Sequence, residues 1–201
     1  MENQELINEA HDMVVQFRRA FGQPCPKHWL DGRPEDRVLQ GRLVREEFDE
    51  TINAAGPLDE LDGYCDLLYV LLGAAIVLGF KREVFDGVKD SPFGLAADVT
   101  GVINMLERPG LPCGLLWVTL PQAINSLYKV AIEKYPKFQE AFKAVHAANM
   151  SKLWDADLTL LSADCTVTPA GDGSGRLIVK RPDGKIVKPS TFSPPDLRPF
   201  V

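Results

Sequence analysis

The chain is poor in the residues that bind soft metals or staple small folds. Its 201 residues include four cysteines and three histidines. Cys25, Cys65, Cys113 and Cys165 are scattered and form no C-x-x-C pair, which argues against a zinc module or disulfide scaffold and for free thiols. Cys25-x-x-His28 would supply half of a zinc site, but no second matching pair follows. None of His11, His28 and His146 has a glutamate three residues before it, which excludes the paired Glu-x-x-His motifs of di-iron carboxylate bundles. His11-Asp12 is the dipeptide of HD-type phosphohydrolases, yet the further histidines of such a site are missing.

Positive charge is also short. Lysine and arginine total 22 against 28 acidic residues, a net charge of −6. That balance argues against nucleic acid as a partner, because neutralising a phosphate backbone takes a basic surface. A small phosphorylated substrate needs only a few local cations and stays compatible. The longest apolar run, Leu67 to Phe80, falls short of the roughly 20 residues that span a bilayer. The opening MENQELINEAHDMV is too polar and acidic for a signal peptide. The expectation is a soluble cytoplasmic protein without a membrane partner. Hydrophobic content of 45% and charged content of 25% are ordinary for a globular chain, and the length suffices for a real core.

Helical spacing dominates what is present. Leu6, Ile7, Ala10, Val14, Phe17, Ala20 and Phe21 predict a helix from about Gln4 to Phe21, stopped at Gly22-Gln23-Pro24. After a loop through Trp29 and Gly32, a helix is predicted from Pro34 to Ala55, broken by Gly56-Pro57, and another from Leu58 to Leu78. Further helices are expected over Leu95–Leu106, then Leu115–Lys134 after the breaker Pro109-Gly110-Leu111-Pro112, and Lys137–Leu153. Leu158–Thr168 has mixed character. Arg176–Lys180 and Lys185–Lys188 flank Arg181-Pro182-Asp183-Gly184 and predict a β-hairpin. The tail Pro194–Pro199 is proline-rich and expected to lie extended on the surface. No internal repeat is visible. The architecture expected is all-α: a helical bundle over 1–155, with a β-hairpin and Pro-rich tail over 156–201.

Five acids on two of these helices carry the chemistry. Glu46-Glu47-x-x-Glu50 and Asp62-x-x-x-Asp66 place carboxylates three or four residues apart, on one face of each helix. Glu46, Glu47, Asp49 and Glu50 alone would pass as a solvated face paired with Arg42 and Arg45. Asp66 resists that reading, because it opens a long apolar run, and a buried unpaired carboxylate is costly. Asp62 one turn earlier adds repulsion unless a cation or proton intervenes. Carboxylates without histidine or cysteine are the ligand type preferred by Mg²⁺ or Mn²⁺. Phosphate chemistry also needs cations from the protein. Arg37, Arg42 and Arg45 lie on the first acidic helix, and Lys143, His146, Asn149 and Lys152 form a stripe at spacings of three.

These residues resemble the MazG-like all-α nucleotide pyrophosphohydrolases, a group that includes phosphoribosyl-ATP pyrophosphohydrolases and dimeric dUTPases. Arg42–Glu50 resembles the family's E-x-x-E segment, and Asp62–Val70 its second acidic helix. Phe17–Pro24 resembles the opening segment of the phage variety, Val145–Leu153 its last helix, and Asp183–Lys188 with Pro194–Leu197 its C-terminal tail. The resemblance covers roughly 1–80, 140–155 and 180–198. It departs from the family in two places. The residue three before Asp66 is Gly63 where an acid is common, so Asp62 would serve from one residue earlier. Residues 87–134 add helices where a short link is expected.

The resemblance implies hydrolysis of a (deoxy)nucleoside triphosphate to the monophosphate and pyrophosphate, controlling a nucleotide pool, with a phage purine dNTP such as dGTP or dATP as candidate substrate. A dUTPase-like house-cleaning activity and a non-enzymatic helical interaction protein are the alternatives. Glu47, Glu50, Asp62 and Asp66 would hold Mg²⁺, with Mn²⁺ able to substitute, and Glu46 or Glu47 would accept the water's proton. Arg42, Arg45 and Lys152 would meet the phosphates and Asn149 the sugar or base. A dimer or tetramer is expected, in the host cytoplasm if phage-encoded. In the added segment, Leu115, Leu116, Trp117, Val118 and Leu120 are expected mainly in the core.

Overall fold

The computed structural model describes residues 2–28, 33–108, 113–155 and 164–201. It is mostly helical, with one small two-stranded sheet. Six helices run in chain order: α1 (Glu2–Ala20), α2 (Pro34–Ile52), α3 (Pro57–Val77), α4 (Leu95–Leu106), α5 (Leu116–Lys134) and α6 (Phe138–Met150). Each predicted helix is present. The loop through Trp29–Gly32, the breaker Pro109–Pro112 and most of Leu158–Thr168 lie outside the described residues.

Helix α3 is the axis of the bundle. It begins at Pro57, whose fixed backbone suits a first turn, and Leu67–Leu78 is buried almost throughout. Around it stand α1, α2, α5 and α6, while α4 closes the side against α2 and α5. The added segment is therefore part of the main core. Val99, Val102, Leu106, Leu120, Ile124, Leu127 and Tyr128 join the same apolar cluster as Leu68 and Leu72. Its own apolar residues divide. Leu116 and Leu120 are buried, but Leu115, Trp117 and Val118 are exposed, and Trp117 stacks on Phe80 with centroids 4.1 Å apart. Among the described residues no helix is long and apolar enough to cross a membrane.

Two glycines set how closely the helices approach. A Cβ on Gly63 would stand 2.8 Å from Thr51 Oγ1 and 3.0 Å from Thr51 Cα, so α3 meets α2 there backbone to backbone. Gly41 does the same on the far side of α2, where a Cβ would come within 2.8 Å of Glu107 and 3.0 Å of Leu106 Cβ. Gly63, three residues before Asp66, is thus the contact that lets the two acidic helices close on each other.

The β appendage differs from expectation. Strand β2 (Leu177–Lys180) pairs antiparallel with β1 (Thr166–Pro169), from Thr166 opposite Lys180 to Pro169 opposite Leu177. The predicted partner, Lys185–Lys188, makes only a single bridge, Ile186 to Lys180, around the Arg181–Lys185 turn. Strand β1 is exposed along its whole length, so it carries none of the alternation by which a half-buried strand is read. The appendage is packed down by Ala170 and Ile178 against Ala20, Phe21 and Leu153. Gly171 N–H donates to the Ala20 carbonyl at 2.9 Å, and a Cβ at Gly171 would lie 2.4 Å from the Arg19 carbonyl oxygen.

The tail is anchored at both ends. Trp154 Nε1 donates to the Val187 carbonyl at 2.7 Å, and Leu197 is buried in the main core.

Gly63→Ala is expected to lower stability by about 1–3 kcal/mol through overpacking, despite alanine's better helix propensity. Thr51→Ala in the same chain should recover part of the loss, because it removes one of the two atoms struck. Urea denaturation of both variants checks this.

Candidate functional site

The acids come together because α2 and α3 run side by side. Positions 43, 47 and 50 form one row on α2, which faces the α3 row of Asp62, Asp66 and Val70. Glu47 and Asp66 are half-buried, whereas Glu46, Glu50 and Asp62 stay exposed. Burial pushes the Glu47 carboxyl up to about 7, and the charges of Asp66, Glu50, Glu46 and Asp62 add to it. Burial likewise raises Asp66 to about 6, with Asp62 and Glu50 adding and Lys152 opposing. Asp62 is raised by partial enclosure, then by Asp59 and Glu50. The repulsion read from the sequence therefore extends across the helix pair. The Cys65 thiol beneath the acids is held protonated by burial and by the same charges.

The cations are arranged otherwise than expected. Arg45 forms an ion pair with Glu107 at 2.7 Å, and Arg37 is buried with Nη2 donating to the Arg108 carbonyl at 2.5 Å. Arg42 is exposed, and its charge acts on Glu107 as well. Two residues along a helix turn the side chain by about 200°, so Arg45 and Glu47 point to opposite neighbours. Arg45 and Arg42, expected to meet substrate, thus lie toward Glu107 at the end of α4, while the acids face α3.

The stripe on α6 also divides. Lys143 pairs with Glu9 at 2.9 Å. His146 is buried, with Nδ1 3.1 Å from the Tyr69 hydroxyl and Nε2 3.2 Å from Gln16 Oε1, and burial lowers its pKa. These contacts suit a neutral ring that donates from Nε2 and accepts at Nδ1. Neither residue is offered to a polyphosphate. Lys152 and Asn149 do reach the acids. Lys152 Nζ donates to Asn149 Oδ1 at 2.5 Å, and its charge acts on Asp66 and Glu47. Asn149 also bonds the Tyr69 hydroxyl. Burial first, then the nearby Lys188, holds Lys152 below its ordinary value. Lys188 is a residue that sequence reasoning missed. Its approach depends on the tail's fold, and no local pattern encodes that.

Two spaces adjoin the acids. A cleft of about 490 Å³ opens between Leu58, Asp59 and Asp62 of α3 and Ser193–Arg198 of the tail. One turn along the groove from Glu47 and Asp66, a cavity of about 280 Å³ lies between Leu43 and Val70, with Phe17, Tyr69 and Gly73 on its walls.

No metal-ligating trio of histidine, cysteine or carboxylate side chains is already drawn together among the described residues. The donor set nevertheless fits a hard divalent cation: it is all carboxylate, it stands on two packed helices, and the charges of Glu50 and Asp62 raise the pKa of Glu47 and of Asp66. Glu47, Glu50, Asp62 and Asp66 are the residues that would hold it. Compared with protein-family models, curated proteins and solved structures, the chain gives no match.

Glu47 and Asp66 have pKa values raised on folding, so the stability they contribute is present below about pH 4 and is lost as pH rises through about 6 for Asp66 and about 7 for Glu47. The metal-free protein should therefore melt at progressively lower temperature from pH 5 to pH 8. Millimolar Mn²⁺ should raise the melting temperature at pH 8 and flatten that slope. Scanning calorimetry with and without the ion measures both.

Proposed function

We propose that this chain is a divalent-metal-dependent nucleoside triphosphate pyrophosphohydrolase of the MazG-like kind, releasing a nucleoside monophosphate and pyrophosphate. The observation that carries the reading is the row of Glu47 and Glu50 facing Asp62 and Asp66, with Lys152 as the cation beside them. Such a set has little structural use of its own, since each acid makes its neighbours costlier to ionise. A bound Mg²⁺ or Mn²⁺ would offset that cost, polarise phosphate oxygens and lower the pKa of water.

The remaining roles fall to the chain's own groups. Glu46 or Glu47, whichever lies outside the tightest coordination, would take a proton from attacking water. Glu46 stands beside Glu47, exposed, and adds negative charge. Lys152 balances charge as pyrophosphate leaves, and half-burial strengthens its effect. Asn149, tied to Tyr69 and Lys152, lies where the groove passes from acids to cavity and would meet the sugar. Lys188 extends the positive charge from the tail side. The proposal carries assembly of two or four copies, for which exposed Leu115, Trp117 and Val118 offer an apolar face.

Incubation with each (d)NTP and Mg²⁺, followed by resolution of the products, is expected to yield monophosphate and pyrophosphate in equal amounts. Orthophosphate with a diphosphate product would refute the cleavage site. Asp66→Asn and Glu50→Gln should each lower turnover by at least about 100-fold while keeping the helical circular dichroism. Without metal, Asp66→Asn should melt above the parent chain at pH 8, because it removes a repelling charge.

A further inference from the structure

The cavity beside the acids is lined by two buried polar side chains, Gln40 and Arg18. Gln40 is 5% exposed and lines the cavity without a hydrogen-bond partner among the described residues. Arg18 is also 5% exposed. Its Nε and Nη2 both donate to the Pro24 carbonyl, at 3.1 and 3.0 Å, which fixes the guanidinium plane. The guanidinium also bonds the Cys25 side chain, and its Nη1 stands near the wall at Gly73: a Cβ there would lie 3.4 Å from it and 3.0 Å from Gln40 Oε1. Gly73 thus leaves the two groups side by side. Phe17 and Tyr69, edge to face at 5.5 Å, stand with Leu43 and Val70 as the apolar and aromatic walls.

A flat heterocycle is the ligand such walls accept, and one polar edge of it would meet Gln40 and Arg18. Resting on the triphosphate reading above, we propose that this cavity is the nucleobase subsite, and that it selects bases presenting a ring carbonyl beside a ring N–H. Guanine, uracil and thymine have that edge, whereas adenine and cytosine present an amine beside an unprotonated nitrogen. The carbonyl accepts from Arg18 Nη1 and the ring N–H donates to Gln40 Oε1. Gln40 alone reads either edge, because its amide can turn over. Arg18 cannot, since a guanidinium has donors only, and an exocyclic amine would face it N–H to N–H.

Steady-state kinetics of the full chain with Mg²⁺ and dGTP, dUTP, dTTP, dATP and dCTP test this. The carbonyl bases are expected to exceed the amino bases in kcat/KM by at least about tenfold. Arg18→Gln, which replaces the donor-only group by an amide that can turn over, should reduce that ratio toward one, acting through KM, while inhibition by pyrophosphate, which has no base, stays at its parental value. Arg18→Met supplies the same comparison if the glutamine variant fails to fold. Preference for dATP or dCTP, or a ratio that survives both substitutions, overturns the subsite. If the parent chain hydrolyses no triphosphate, the triphosphate reading fails instead. Calorimetric titration with guanosine, uridine, adenosine and cytidine then tests the cavity alone, and equal binding of all four overturns it.

Discussion

Everything near the acids depends on the close approach of α2 and α3 at Gly63 and Thr51. Without a side chain at Gly63, the two backbones meet, and the carboxylate rows one turn away are forced into each other's field. Apolar burial along α3 supplies the stabilisation that holds them there. Leu67, Leu68, Leu71 and Leu72 are fully buried, each worth about 1.5–3 kcal/mol by removal from water. The core compels a charge arrangement that charge alone would refuse.

The surrounding helices keep competing groups away. Arg45 and Arg37 are held by Glu107 and the Arg108 carbonyl, so the nearest strong cations do not neutralise the acids internally. Lys143 is held by Glu9 in the same way, and His146 is enclosed as a neutral link between Tyr69 and Gln16. Lys152 is left, placed just past the end of α6, where the helix dipole favours a positive charge.

The helices were legible in the sequence because each buries a face at a period of 3.6 and is bounded by Pro or Gly, as at Pro34, Gly56-Pro57 and Gly79. The acids were legible as rows, since i, i+3 and i, i+4 positions share a face whatever the tertiary context. The pairing of Arg45 with Glu107 was not legible, because spacing fixes which residues share a face but not which neighbour that face meets. Strand β1 went unread because no side of it is buried, and Lys188 because its position depends on a turn and a tail folding back. Gln40 carried no signal at all. A glutamine inside a helix is unremarkable until its surroundings are known to be a cavity.

The seating of Gly171 against the end of α1 has a mechanical consequence. The Arg19 and Ala20 carbonyls that receive the appendage belong to the same helical turn as Phe17 and Arg18, which wall the cavity on the opposite side. One turn of helix therefore serves as a shared beam between the C-terminal sheet and the groove. A bulkier residue at position 171 would press on the backbone of the turn whose neighbouring side chains wall the cavity.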